Sequence, residues 1–356
     1  MTRPELRLSS SVFRANIAAV QARVSPSTLM LVLKDDAYGH GLAWAVENAV
    51  QAGVDSFGSY DIRSGLSVRR IVGGDARIFA WATSTDAEID EALMQSIDLG
   101  VGTVEYLRRI IARAEALGSR ARVHLKIDTG LHRNGVLPED WESAVAEARR
   151  AEGAGLLEVV GVWSHIAEAS DADDDDAQKV FLDAVRVAGE SGPTPAALHL
   201  TASAASWWRP ELRGTVSRIG AFCYGVRSAD GPELEGIRPA ATLVAPVIET
   251  TVVETTDGET TDGEVRIGIG SFDGLPSTVR GASVGTPGGA RALREVGHTS
   301  SVVDGWPGAR VGDEVVLFGA GDDGEDSATA LAERIDTVGE EILTRLTARV
   351  RRVVVD

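Results

Sequence analysis

"LMLVLKDDAYGHGLAWAVENAVQAG", residues 29–53, runs from a short apolar stretch into one lysine, then through Tyr-Gly-His-Gly into a helical pattern. A buried strand, a polar residue at its end, a glycine-softened turn and a helix make one β/α repeat. The unit recurs along the chain. Strand candidates come at "VDSFGSY" (54–60), "ARIFAWA" (76–82), "SIDLGVG" (96–102) and "ARVHLKID" (121–128). "EVVGVWSH" (158–165), "AALHLT" (196–201) and "GTVSRIG" (214–220) complete the series. Between them lie helical patterns such as "TVEYLRRIIARAEALG" and "DAQKVFLDAVRVAGESG", with apolar residues three and four apart and Gly near the ends. Eight strands alternating with helices predict an α/β fold of the (β/α)8 TIM-barrel kind over residues 11–235. A doubly wound open sheet is the competitor, and the even spacing of eight repeats favours closure.

The composition changes after about residue 236. "LVAPVIETTVVETTDGETTDGEVRIGIG" (243–270) is rich in Val, Thr and Gly, with Asp-Gly turns. "GARVGDEVVLFG" (308–319) and "ARVRRVVVD" (348–356) continue in that style, with one helical stretch, "DSATALAERIDTVGEEILTRL", between them. Residues 1–10 and 236–356 therefore form a C-terminal mostly-β domain. The acidic run "SDADDDDAQ" (170–178) reads as a solvated loop with a helix N-cap rather than a metal site, because successive aspartates point in different directions.

The chain of 356 residues is long for one small core, and its 44% hydrophobic and 25% charged residues are ordinary for a soluble protein. A net charge of −18 argues against nucleic acid and anionic membranes as partners, since both repel an acidic surface. Cys223 is the only cysteine, so no intrachain disulfide can form, and the composition suits a reducing cytoplasm. The opening "MTRPELRLSSSVFRAN" has no signal-peptide apolar core.

In barrels of this kind the chemistry sits at the C-terminal strand ends. Those ends carry Lys34; Lys126, Asp128 and Arg133; His165; His199 through Ser203; and Arg218 before Gly220. A lone strand-end histidine is usually structural, but several cationic groups on one rim call for an anionic ligand. A lysine desolvated at a buried strand end loses affinity for its proton and becomes available as a Schiff-base amine. "SRIGAFCYG" (217–225) supplies Gly220 and backbone amides where barrels hold phosphate. Together these point to pyridoxal 5'-phosphate. A sugar-phosphate barrel with a Schiff-base lysine remains the alternative on these grounds.

"VLKDDAYGHG", "HLKIDTGLHRNG", "GVWSHIAEASDADDDDAQ", "HLTASAA" and "SRIGAFCYGV" resemble, in order and spacing, the alanine racemase family of pyridoxal-phosphate enzymes. "IGSFDGLP", "VGDEVVLFG" and "ILTRLTARVRRV" are similar to parts of the same family's β-domain, so the likeness covers nearly the whole chain. The resemblance implies that Lys34 carries the cofactor and acts as one acid/base. It implies that Tyr38, Ser203, Gly220 and Ala221 contact the phosphate, that Arg218 faces the pyridine nitrogen with His165 bonded to it, and that Arg133 bonds the phenolic oxygen. Lys126 matches a position carbamylated in some members. The family's head-to-tail arrangement implies a homodimer with shared sites and a small amino-acid substrate.

The pattern breaks in the C-terminal half. The family's second base is a tyrosine in Gly-Tyr-x-Asp-Gly, which here reads Gly270-Ser271-Phe272-Asp273-Gly274. A serine hydroxyl is far less acidic than a phenol and shorter by a ring. The family's Met-Asp pair aligns with His298-Thr299, a phosphate-touching tyrosine falls at Val354, and Ala202 replaces an asparagine. The expectation is therefore an amino-acid racemase or epimerase that is not a standard alanine racemase; His298, aided by Thr299 or Ser271, is one candidate second base, because histidine titrates in the useful range. One-base chemistry through Lys34 (decarboxylation, aldol cleavage or elimination), a site completed by a paralogue, and a cofactor-binding homologue without catalysis stay open.

Overall fold

The computed structural model describes residues 3–254 and 260–356. The chain divides into two compact units, one of Ile17–Ala37 with Leu42–Gly220, the other of Met1–Asn16, Tyr38–Gly41 and Ala221–Asp356. The first strand, β1 (Glu5–Leu8), belongs to the second of these.

The first unit is the barrel. Its strands are β2 (Thr28–Val32), β3 (Ser56–Tyr60), β4 (Arg77–Ala80), β5 (Asp98–Val101), β6 (Ala121–Lys126), β7 (Leu157–Trp163), β8 (Ala197–His199) and β9 (Val216–Ile219). Neighbours pair in parallel from β2 to β8, and β9 returns to pair with β2, placing Met30 opposite Arg218. At the seam between β8 and β9 a side chain does the bridging. The Thr215 hydroxyl donates to the Ala196 carbonyl at 2.7 Å and accepts the Leu198 N–H at 2.8 Å. The backbones approach so closely there that a Cβ on Gly214 would lie 2.0 Å from the Leu198 carbonyl oxygen. The eight strands expected from the sequence are all present, and they close a (β/α)8 TIM barrel.

Capping explains the helix boundaries. Thr103 accepts the Tyr106 N–H to start Val104–Leu117, and Gly118, left-handed at φ 60°, ends it. The buried Tyr106, Leu107, Ile110 and Ala114 fall on one helical face. The helix N-cap expected in the acidic run is present, Ser170 capping Asp171–Glu190, but the aspartates after it form the first turns of the helix rather than a loop. Carboxylates near a helix N-terminus are favoured by the helix dipole. The barrel interior is filled by Met30, Phe79 and Trp163, with Trp81 and Val216 packed against them.

The second unit is mostly β. Its further strands are β10 (Ala241–Glu254), β11 (Thr260–Ile267), β12 (Ser283–Val284), β13 (Arg291–Val296), β14 (Ser301–Asp304), β15 (Glu314–Phe318) and β16 (Arg351–Val354). They run in the order β12-β13-β14-β11-β10-β1-β16, with β15 on β10. β1 pairs antiparallel with β10 and parallel with β16, burying Leu6 and Leu8. The expected turn at Asp257-Gly258 lies outside the described residues. The single helix expected over 326–346 is two short ones, Ala328–Glu333 and Gly339–Thr344. Asp336 turns left-handed at φ 56°, and the Thr337 N–H closes back onto the Ala332 carbonyl, which ends the first helix. No described helix is long and apolar enough to cross a membrane.

Candidate active site

Lys34 comes after β2 at the C-terminal rim, half-buried, and begins a turn of unusual backbone. Asp35, Asp36, Ala37 and Tyr38 all lie in the left-handed region, with φ between 54° and 56°. The positive φ expected of Gly39 (77°) and Gly41 (102°) is present, and it extends back over four residues with side chains. The Ala37 N–H closes onto the Leu33 carbonyl at 3.1 Å, and the Asp36 carboxylate accepts the Leu42 N–H at 2.7 Å, capping the helix Leu42–Gln51.

Across the rim, β6 and β9 bring two cationic side chains to the Trp163 indole at the end of β7. Lys126 Nζ sits 4.7 Å from the Trp163 ring centre and the Arg218 guanidinium 5.3 Å from it. Arg218 is buried, and both of its terminal nitrogens are filled with acceptors. One terminal nitrogen donates to the His199 carbonyl at 2.8 Å and to His199 Nδ1 at 3.2 Å. The other donates to the Ser164 carbonyl (2.8 Å), His165 Nδ1 (3.1 Å) and the Leu200 carbonyl (3.3 Å). Its Nε–H has no partner among the described residues. Because every contact is an acceptor, the guanidinium stays protonated although burial pulls it below its ordinary range.

These charges set their neighbours. Burial, with Arg218 and Arg133 nearby, lowers Lys126 to about 8. Burial and the surrounding Arg218, Arg133, Lys126 and Lys34 push His165 down to about 3, so it is a neutral imidazole. Since His165 Nδ1 accepts from Arg218, its proton is on Nε2. Lys126 donates to the backbone carbonyl of Arg133 at 2.9 Å, whereas the Arg133 side chain is exposed. Asp128 orders this loop by accepting the N–H groups of Gly130 and His132. The Gly220 N–H donates to Ser203 Oγ at 3.3 Å, and the Glu168 carboxylate accepts the Ala205 N–H at 2.9 Å on the first turn of the helix Ser203–Trp208.

The remaining sequence candidates lie in the other unit. Tyr38 is buried with its ring 5.1 Å from that of Tyr224, which also packs on Phe13. Ala221 opens the short 3-10 turn Ala221–Tyr224. Ser271 and His298 are brought together: the Ser271 N–H donates to the Gly297 carbonyl and the Phe272 N–H to the His298 carbonyl. A Cβ on Gly270 would lie 2.6 Å from the His298 carbonyl oxygen, so only glycine permits this approach. The exposed Phe272 ring stacks on the exposed His298 at 5.0 Å. Thr299 is exposed beside it, and Val354 is exposed on β16. Trp163, His124, Asp98 and Glu168 were not singled out from sequence. Trp163 and His124 lie two residues from His165 and Lys126, the strand period that puts side chains on one face.

Residues 8–228 match the family described as alanine racemase, N-terminal domain, and residues 259–354 its C-terminal domain. An alanine racemase of Thermobifida fusca is 37% identical over 364 residues, covering 98% of this chain and 97% of its own. The structure of alanine racemase from Streptomyces coelicolor A3(2) superposes with a TM-score of 0.91 at 32% identity, covering 99% and 98% of the two chains. A histidine racemase from Leuconostoc mesenteroides shares the fold alone, at TM-score 0.85 and 22% identity. Fold and rim together define a barrel-type isomerase that works with a cofactor. The chain belongs to the alanine racemase family, whose enzymes use pyridoxal 5'-phosphate.

The residues present fit that group. Lys34 offers an amine at the strand end, Arg218 keeps one N–H uncommitted, and the Ser203 turn already takes a carboxylate on a backbone amide.

Proposed function

We propose that this chain is a pyridoxal-phosphate amino-acid racemase or epimerase whose second base, and hence substrate, differs from those of standard alanine racemases. The observation that carries the reading is the buried Arg218, fixed by two neutral imidazoles and three carbonyls with one N–H left over. Lys34, Tyr38, Arg133, His165, Ser203, Arg218, Gly220 and Ala221 would hold the cofactor. When bound, it withdraws electrons from the substrate α-carbon and weakens the bond to the hydrogen there.

Arg218 would donate its free Nε–H to the ring nitrogen of the bound cofactor without giving up its proton, which would hold back side reactions that need a protonated ring. Lys34 moves the proton on one face of the α-carbon. Its counterpart is His298 of a second copy of the chain, beside Ser271, because an imidazole can take and return a proton where a serine hydroxyl cannot. The proposed division of labour is a barrel over 11–235 that holds the cofactor and a β-rich part, 1–10 and 236–356, that supplies the second base to a partner. The same reading makes the protein a head-to-tail homodimer acting on a small amino acid in the cytoplasm, and the single buried Cys223 suits that compartment.

The test is to incubate single L- and D-amino acids with the protein in deuterated water and follow α-hydrogen exchange by NMR. Exchange with inversion, lost in Lys34→Ala together with the absorbance of bound cofactor near the visible edge, is expected. Exchange with retention would leave one base only, and release of carbon dioxide or an aldehyde would replace the racemase reading with a lyase.

A further inference from the structure

Behind Arg218, away from the rim, the barrel interior holds a line of polar groups that the proposed reaction does not use. His199 Nε2 lies 2.8 Å from His124 Nδ1, and His124 Nε2 lies 3.5 Å from Asp98 Oδ2. Arg122 donates from Nε to Asp98 Oδ1 at 2.7 Å and also pairs with Glu158 at 3.1 Å. Both histidines and Asp98 are buried. Aromatic rings wall the line: Trp163 stacks on His199 at 12°, and Phe79 meets both imidazoles. The far end opens on a cavity of about 640 Å³ lined by Met30, Asp98, Arg122, His124 and Glu158. Asp98 heads β5, so this is the mouth opposite the rim.

The direction of every hydrogen bond in the line is forced. A guanidinium only donates, so His199 Nδ1 must accept from Arg218. A neutral His199 then carries its proton on Nε2 and donates to His124 Nδ1, and His124 in turn donates from Nε2 to Asp98. Burial, with His124 and Arg218 alongside, holds the His199 pKa well below its ordinary range. Hydrogen bonds from His124 and Arg122 keep the Asp98 carboxyl below its usual range against the cost of burial. The seat for this line is built into the backbone. A Cβ on Gly161 would lie 2.1 Å from His124 Nδ1, so β7 gives up a side chain to let the imidazole point inward.

We propose that His199, His124 and Asp98 form a positioning relay that fixes the acceptor face offered to Arg218, and through it the hydrogen bond at the cofactor's ring nitrogen. This rests on Arg218 being the partner of that nitrogen. In the relay a wrong tautomer is costly: if Asp98 were not there to accept, His124 could hold its proton on Nδ1. His199 would then turn an N–H toward Arg218, two donors would face each other, and the guanidinium would swing away.

Two substitutions of His124 separate this role from packing. In His124→Gln the amide oxygen can accept from His199 while the amide nitrogen donates to Asp98; in His124→Phe the aromatic volume remains and both bonds are lost. Nitrogen-15 NMR of histidine-labelled protein loaded with cofactor reads the tautomers, and the absorbance of the bound cofactor reads the ring nitrogen's environment. The expected result is neutral Nε2–H His124 and His199 in the wild type. His124→Phe should shift the cofactor band and lower kcat by about tenfold with KM little changed, with His124→Gln close to wild type on both. A wild-type His199 protonated on Nδ1, or His124→Phe matching wild type where His124→Gln does not, would overturn the relay while leaving the cofactor reading in place. A wild type with no cofactor band overturns that reading, and the relay's purpose with it, whatever the tautomers.

Discussion

Lys126 illustrates how far one residue's behaviour can be read from its neighbours. Its amine is buried over Trp163, near Arg218 and Arg133, and its pKa falls from 10.5 to about 8. Below pH 8 it is protonated whether the chain is folded or not, so folding bears the whole cost of the buried charge. Between about 8 and 10.5 the folded amine is neutral while the unfolded one still holds its proton, so stability rises with pH, and above that range the penalty is gone. Lys126→Met should therefore stabilise the cofactor-free protein by about 3 kcal/mol at pH 7, with the advantage vanishing near pH 10.5. Urea unfolding of both proteins at the two pH values, in carbonate-free buffer, checks this; a gap that does not change with pH would refute it. The rim lysines, histidines and arginines could be found from sequence because each sits at a strand end. His124 shows only the two-residue strand period from Lys126, and Asp98 no signal at all, because a polar residue within a strand reads the same whatever its side chain meets. Only the pairing of β5 with β6, in a barrel whose interior they share with β8, brings them together.

The turn after β2 shows the same division among elements. Strand, turn and helix were all legible in residues 29–53, but the left-handed conformation that the glycines suggested extends to Asp35 through Tyr38, which carry no such signal. Left-handed residues with a Cβ cost roughly 1–2 kcal/mol each, so the turn is held under strain by the helix it leads into. Part of the compensation is visible in the Asp36 cap on Leu42–Gln51. Asp35 is exposed and φ is 54°, so Asp35→Gly relieves strain at little loss, whereas Asp36→Gly relieves the same strain but removes the cap. Asp35→Gly should be more stable than Asp36→Gly by about 1 kcal/mol, the worth of one N-cap, in equilibrium unfolding. Equal stabilities would mean the cap contributes nothing. The helix over 326–346 is the opposite case: its apolar spacing runs on in sequence, and the break is made by the left-handed Asp336 and the Thr337 N–H bond to Ala332, which the periodicity does not record.

For the molecule as a whole, the two halves differ in what the sequence discloses. The barrel half gathers Lys34, Lys126, His165 and Arg218 on one rim, as their strand-end positions predict. The β-rich half carries Ser271 and the pair His298-Thr299, where the resemblance leads one to expect a tyrosine and a Met-Asp pair, and its proposed part in chemistry depends on a second copy. If each site takes Lys34 from one copy and His298 from the other, Lys34→Ala and His298→Gln are each inactive alone, and for different reasons. A homodimer of either variant lacks one base in both of its sites. Mixed and allowed to exchange subunits, they form heterodimers in which one site lacks both bases and the other has both. With random pairing half the dimers are mixed and half of their sites intact, so about a quarter of wild-type turnover should return. Recovery that grows with time of subunit exchange, measured with the amino acid that the deuterium experiment identifies, would place the two bases on different copies. If His298→Gln stays active by itself, His298 is not the second base. If both variants are inactive and the mixture stays so after exchange has been verified by mass, Lys34 and His298 must serve one site from the same copy, and the shared-site dimer fails.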